Sequence, residues 1–171
     1  NNIVLVTEPI ATSKTVAIGF WFSVGSRYEA ENQSGITHFV EHMIFKGTPN
    51  RTAYEIACSF DRIGGYVNAF TERELVCLHC VVPAQYAEFA LEILTDMTHN
   101  ALFLEQDVNK ERSVIESEII SAQDDPEEAC LDTVIDCVFP ENPLSKNICG
   151  TLETVKNLSP TDLKNWYIKY D

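Results

Sequence analysis

Apolar residues recur along this chain in two rhythms, and the change from one to the other falls near Pro83. Ahead of it, residues 3–8 (IVLVTE) and 15–24 (TVAIGFWFSV) are rich in β-branched and aromatic side chains. Such residues suit a pleated surface and predict two strands, the second ended by Gly25-Ser26. A helix is predicted over 35–46, with Ser34 as N-cap and Gly47 at its C-terminal stop. The next starts at Thr52, whose hydroxyl and Glu55 can form a capping box, and stops at Gly64-Gly65. Strand signals return at 66–71 and 75–82, around the charged turn Glu72-Arg73-Glu74, and predict a hairpin. From Pro83 onward the apolar spacing becomes three and four. It predicts helices over 84–100, 104–124, 127–139, a short piece near Leu152, and 160–170 capped by Ser159. Strands early and helices late imply an α+β fold, a mostly antiparallel sheet packed against helices. No repeat or linker divides the 171 residues, which read as one domain.

Composition narrows the partners. With 45% hydrophobic and 22% charged residues the chain can bury a core, and no run approaches the roughly 18 to 20 apolar residues of a membrane helix. Twelve basic against 26 acidic residues give a formal charge of −14, which excludes nucleic acid as a natural partner and favours basic peptides. Cys77 and Cys80 lie in an apolar run, Cys58, Cys130 and Cys137 in helical patterns, and Cys149 in a loop. That scatter predicts unpaired, core-filling thiols in a reducing compartment, with the cytoplasm ahead of the mitochondrial matrix or periplasm. A shared site at Cys77-x-x-Cys80 is disfavoured, because residues three apart on a strand point to opposite faces. The sequence starts without Met in a strand-like run and stops directly after an amphipathic one, so a truncated domain is expected.

Chemistry enters at His38-Phe39-Val40-Glu41-His42, which holds two of the four histidines. Four residues apart on a helix, the imidazoles share a face, while Ile36, Phe39, Val40, Met43 and Ile44 cover the other side. A solvated pair of surface histidines is the plain alternative for this spacing. Catalytic zinc takes three protein ligands and keeps one position open, and two histidines with one carboxylate is an attested set. On the helix over 104–124, Leu104, Val108, Val114, Ile115, Ile119 and Ala122 form an apolar arc that also contains Glu111 and Glu118. Burying carboxylates unpaired is costly, so these two need either a metal or a partner such as Arg27, Arg51, Arg62 or Arg73. Glu111 fits a place beside the metal, orienting a ligand. His79 and His99 read as structural.

His-x-x-Glu-His is the inverzincin signature. Together with Gly25-Ser26-Arg27, residues 35–46, Gly64-Gly65, Asn68-Ala69, Thr71 and the stretch from Glu111 through Arg112-Ser113-Val114-Ile115 to Glu118, it resembles the pitrilysin/insulinase superfamily. The likeness is to its shorter members, the mitochondrial processing peptidase β-subunits and their bacterial homologues. By this resemblance His38, His42 and Glu118 are the ligands of one zinc per chain, Glu41 is the catalytic base and Glu111 an acidic helper. The resemblance also implies that extended peptide substrates add as a strand along Asn68, Ala69 and Phe70. Family members carry a second, similar half that closes over the zinc, so a C-terminal half or a partner subunit is expected, and an open sheet edge makes a homo-oligomer feasible. The implied function is a zinc metalloendopeptidase, hydrolysing peptide bonds with water that zinc activates and Glu41 deprotonates. The alternative is a non-catalytic assembly subunit of the same fold. A zinc-stabilised structural module fits less well, because four ligands usually close such sites and Glu41 would have no task.

Overall fold

The computed structural model describes residues 3–170. Three strands, β1 (Thr15–Phe22), β2 (Tyr66–Thr71) and β3 (Val76–Pro83), form an antiparallel sheet in the order β1-β3-β2. β2 and β3 make the hairpin that the sequence predicts, closed by Glu72 N–H donating to the Leu75 carbonyl. Alternation along β3 sends Leu78, Cys80 and Val82 into the core, whereas His79 lies across from Gly19 and Asn68 on the other face. Cys77 and Cys80 therefore point apart, and all six cysteines are free thiols.

Among the described residues seven α-helices follow or interrupt the strands: α1 (Ile36–Ile44), α2 (Ala53–Arg62), α3 (Ala87–His99), α4 (Glu105–Asp124), α5 (Pro126–Val138), α6 (Leu152–Asn157) and α7 (Pro160–Tyr170). The sheet, α2 and α3 enclose one apolar cluster around Ile56, Phe60, Leu78, Ile93, Leu94 and Met97. A second joins α1, α4, α6 and α7 through Ile36, Phe39, Met43, Ile115, Val155 and Leu163. Val40 of α1 packs against both, so α1 lies at the seam of the two cores. That placement holds a nine-residue helix, too short to be stable alone, in a fixed attitude. The Thr52–Glu55 capping box forms as expected.

Several expectations need correction. Residues 3–8 are not a strand: Ile3, Val4, Leu5 and Val6 stand 83–93% exposed, without a sheet partner among the described residues. Propensity names residues that would suit a strand, but a strand exists only where a neighbour pairs its backbone. Three strands are therefore present among the described residues. Ser34 is not the N-cap of α1; Gly35, in the left-handed region at φ 89°, holds that place. On α4 the buried row is Val108, Glu111, Ile115 and Ile119, and Val114 faces out. Cys130 and Cys137 are exposed on α5, which buries no residue, so they do not fill a core.

Candidate metal centre

The apolar side of α1 is anchored by Ile36, Phe39 and Met43, all fully buried, with the Arg112 guanidinium 5.5 Å from the centre of the Phe39 ring. This anchoring turns His38 and His42 toward α4. Their side chains are only 14% and 17% exposed, so they are not solvated surface histidines. Val108, Ile115 and Ile119 dock α4 against the same core and bring Glu111 and Glu118, two turns apart, beside the imidazoles.

His38 Nε2 and His42 Nε2 lie 3.3 Å apart. Glu118 Oε2 is 3.8 Å from the first and 3.4 Å from the second. Ligands on bonds of about 2.1 Å at tetrahedral angles stand roughly 3.4 Å from one another, so these atoms outline one face of a tetrahedron around a zinc-sized ion. They are the one His, Cys, Asp and Glu cluster of this kind among the described residues. Burial, and then the proximity of His42, push the His38 pKa down to about 4, which leaves the imidazole neutral and able to ligate at neutral pH.

Glu111 is buried behind this triangle. Its Oε2 accepts from His42 Nδ1 at 3.1 Å, an arrangement that directs Nε2 of the ring toward the triangle, and its Oε1 pairs with Lys46 Nζ at 2.7 Å. Burial raises the Glu111 pKa, but the bonds from Lys46 and His42 outweigh it and hold the carboxyl below its ordinary value. Lys46 follows His42 by four residues, just beyond the end of α1, and that spacing is its one signal in the sequence. Three of the four candidate arginines pair elsewhere: Arg27 with Glu74, Arg51 with Glu92 and Asp96, and Arg73 with Asp132.

Glu41 lies on the same helix, and its Oε2 accepts from Thr71 Oγ1 at the end of β2. Burial raises its pKa, Thr71 and His42 lower it, and Glu118 raises it again, for a net shift upward. Asn68, Ala69 and Phe70 precede Thr71 on β2, an edge strand among the described residues. Ala69 faces the core, Asn68 Oδ1 accepts from the Ala69 N–H, and Phe70 meets Trp21 and His79 on the outer face. The geometry thus ties this strand to the site through Thr71. His79 makes ring contacts and His99 bonds within α3, as structural histidines do.

Comparison with known proteins gives a consistent result. The chain is 39% identical over 170 residues to an uncharacterized zinc protease of Bacillus subtilis, covering 99% of this chain and 42% of that protein. It is 37% identical over 169 residues to a probable mitochondrial-processing peptidase subunit beta of Arabidopsis thaliana, covering 99% of this chain and 32% of the relative. The chain therefore spans about two fifths or less of these relatives' lengths. A crystal structure of a protease from Helicobacter pylori superposes with a TM-score of 0.87 over 92% of this chain and 38% of that one; at 24% identity this speaks for the fold alone. No helix among the described residues is long and apolar enough to cross a membrane. Residues 4–152 match the insulinase family, peptidase family M16, and the chain belongs to it.

Proposed function

We propose that this chain carries the zinc centre and the general base of a metalloendopeptidase, with His38, His42 and Glu118 as ligands and Glu41 as base. The observation that carries the reading is the triangle of His38 Nε2, His42 Nε2 and Glu118 Oε2, with edges of 3.3, 3.8 and 3.4 Å. Zinc held there would supply a Lewis acid for the scissile carbonyl and make hydroxide accessible near neutral pH. The chain's own residues do the rest. Thr71 occupies Glu41 Oε2, which leaves Oε1 to take the proton of the attacking water and pass it to the leaving amine. The upward pKa shift of Glu41 suits that exchange, since a base works best when its pKa approaches the operating pH. Glu111 fixes the ring of His42, and Lys46 fixes Glu111. A peptide added to the free edge of β2 would pass Thr71 and reach Glu41, and the formal charge of −14 favours basic sequences.

Metal analysis and peptide cleavage on the full-length protein test this. One zinc per chain is expected. Glu118→Ala should lose most of it, and Glu41→Gln should keep it while turnover falls about 10²- to 10⁴-fold. Zinc retained at parental affinity in Glu118→Ala would show that the third ligand is another group. Undiminished turnover in Glu41→Gln would rule out the base.

A further inference from the structure

The helix that carries both histidines starts in an unusual way. Its N-cap, Gly35, sits at φ 89°, ψ 0°, where a Ser, Thr or Asp is strained, and it brings no side chain to the unpaired N–H groups of the first turn. Those groups are served from a distance. Glu29 Oε2 accepts from the Gly35 N–H at 2.8 Å, and Glu29 Oε1 accepts from the Thr37 N–H at 2.9 Å. Glu29 is 4% exposed, and both carboxylate oxygens are spent on this backbone. A negative group there also lies at the positive end of the helix dipole.

The same turn is gripped from the other side. Gly35 and Gly150 come so close that a Cβ on Gly35 would overlap the Cys149 carbonyl, and one on Gly150 the Ser34 carbonyl. Thr154 Oγ1 donates to the Ser34 carbonyl at 2.7 Å, and Lys146 Nζ donates to the Glu29 carbonyl. Residue 38 follows directly on the second amide that Glu29 holds.

We infer that Glu29 is a positioning residue for the metal centre: by clamping the Gly35 and Thr37 amides it fixes the start and rotation of α1, and so the placement of His38 and His42 opposite Glu118. The inference rests on the zinc reading above, but acts through the backbone and touches neither metal nor substrate. A glutamine at position 29 is the informative change. Its amide oxygen can accept from one N–H, but its NH₂ meets the other, so one grip on the turn becomes a repulsion.

The experiment is zinc titration of the full chain by competition with a chelator, beside backbone hydrogen exchange of the zinc-free parent. In Glu29→Gln the zinc dissociation constant should rise about 10- to 100-fold, the range found when a group supporting a ligand is removed. In the zinc-free parent the Gly35 and Thr37 amides should already be protected. A Glu29→Gln protein with a lowered melting temperature but parental zinc affinity would make Glu29 merely structural and overturn the inference. Fast exchange of both amides in the parent would overturn it as well, and needs no variant that might fail to fold. If the parent itself binds no zinc, the zinc reading fails, while amide protection still reports on the clamp.

Discussion

At the scale of single residues, the site depends on carboxylates whose surroundings set them apart. Glu41 is pushed toward holding a proton, and Glu111 is held as an anion by Lys46 and His42. Glu111→Gln should therefore weaken zinc about 10- to 100-fold by freeing the His42 ring, while Glu41 stays in place. Chelator competition measures this, and unchanged affinity would show that Glu111 does not orient the ligand. Asp96 offers a pH test away from the candidate metal centre. Burial raises its pKa, but bonds from Thr48, Asn50, Asn100 and Arg51 outweigh this and hold it at about 2 against an ordinary 3.8. A depressed carboxylate stabilises the fold above its unfolded pKa and loses that contribution as pH falls through the folded one. Asp96→Asn should accordingly cost about 2 kcal/mol near neutrality and less and less between pH 4 and 2. Urea melts across that range check it; a constant difference between the two proteins would remove Asp96 from the acid limb.

At the scale of elements, the crossing of α1 and α4 makes the candidate centre, since each helix alone supplies only part of the proposed ligand set. Phe39 and Met43 on one helix and Ile115 and Ile119 on the other pack in one core, so the ligand faces meet as a result of apolar burial. The start of α1 is the sensitive point. Gly35→Ala combines a left-handed backbone with an overlap against the Cys149 carbonyl. Backbone strain of this kind costs about 1–3 kcal/mol, and the overlap adds to it. Denaturant unfolding should move by at least that amount, and an unmoved midpoint would mean that the turn relaxes freely. α5 differs from the other helices: Leu131, Val134 and Val138 are more than half exposed, and its cysteines share that solvated setting.

At the scale of the whole molecule, all four proposed metal and base residues fall between positions 38 and 118, within a chain that spans 42% of its Bacillus subtilis relative. The 171 residues should therefore bind zinc by themselves. Hydrolysis asks for more, because holding a peptide in register can account for about 7 to 11 kcal/mol of a barrier. The isolated chain is expected to cleave peptides poorly or not at all beside the full-length protein, at equal zinc occupancy. Equal turnover of the two would place all the substrate positioning in this part.

The proposed ligands and base were legible in the sequence alone, because His38, Glu41 and His42 are local to one helix and Glu118 recurs two turns after Glu111 along the periodic pattern of another. Local rules also place the hairpin and the Thr52–Glu55 box, which depend on neighbours within a few residues. Other features needed the folded chain. Glu29 reaches α1 from six and eight residues away, Gly150 meets Gly35 across more than a hundred, and Thr71 meets Glu41 from another strand. Residues 3–8 carry a strand's composition without a strand's neighbour among the described residues. Composition and periodicity report what a segment can bury or bond, whereas the fold decides which partner arrives to complete it.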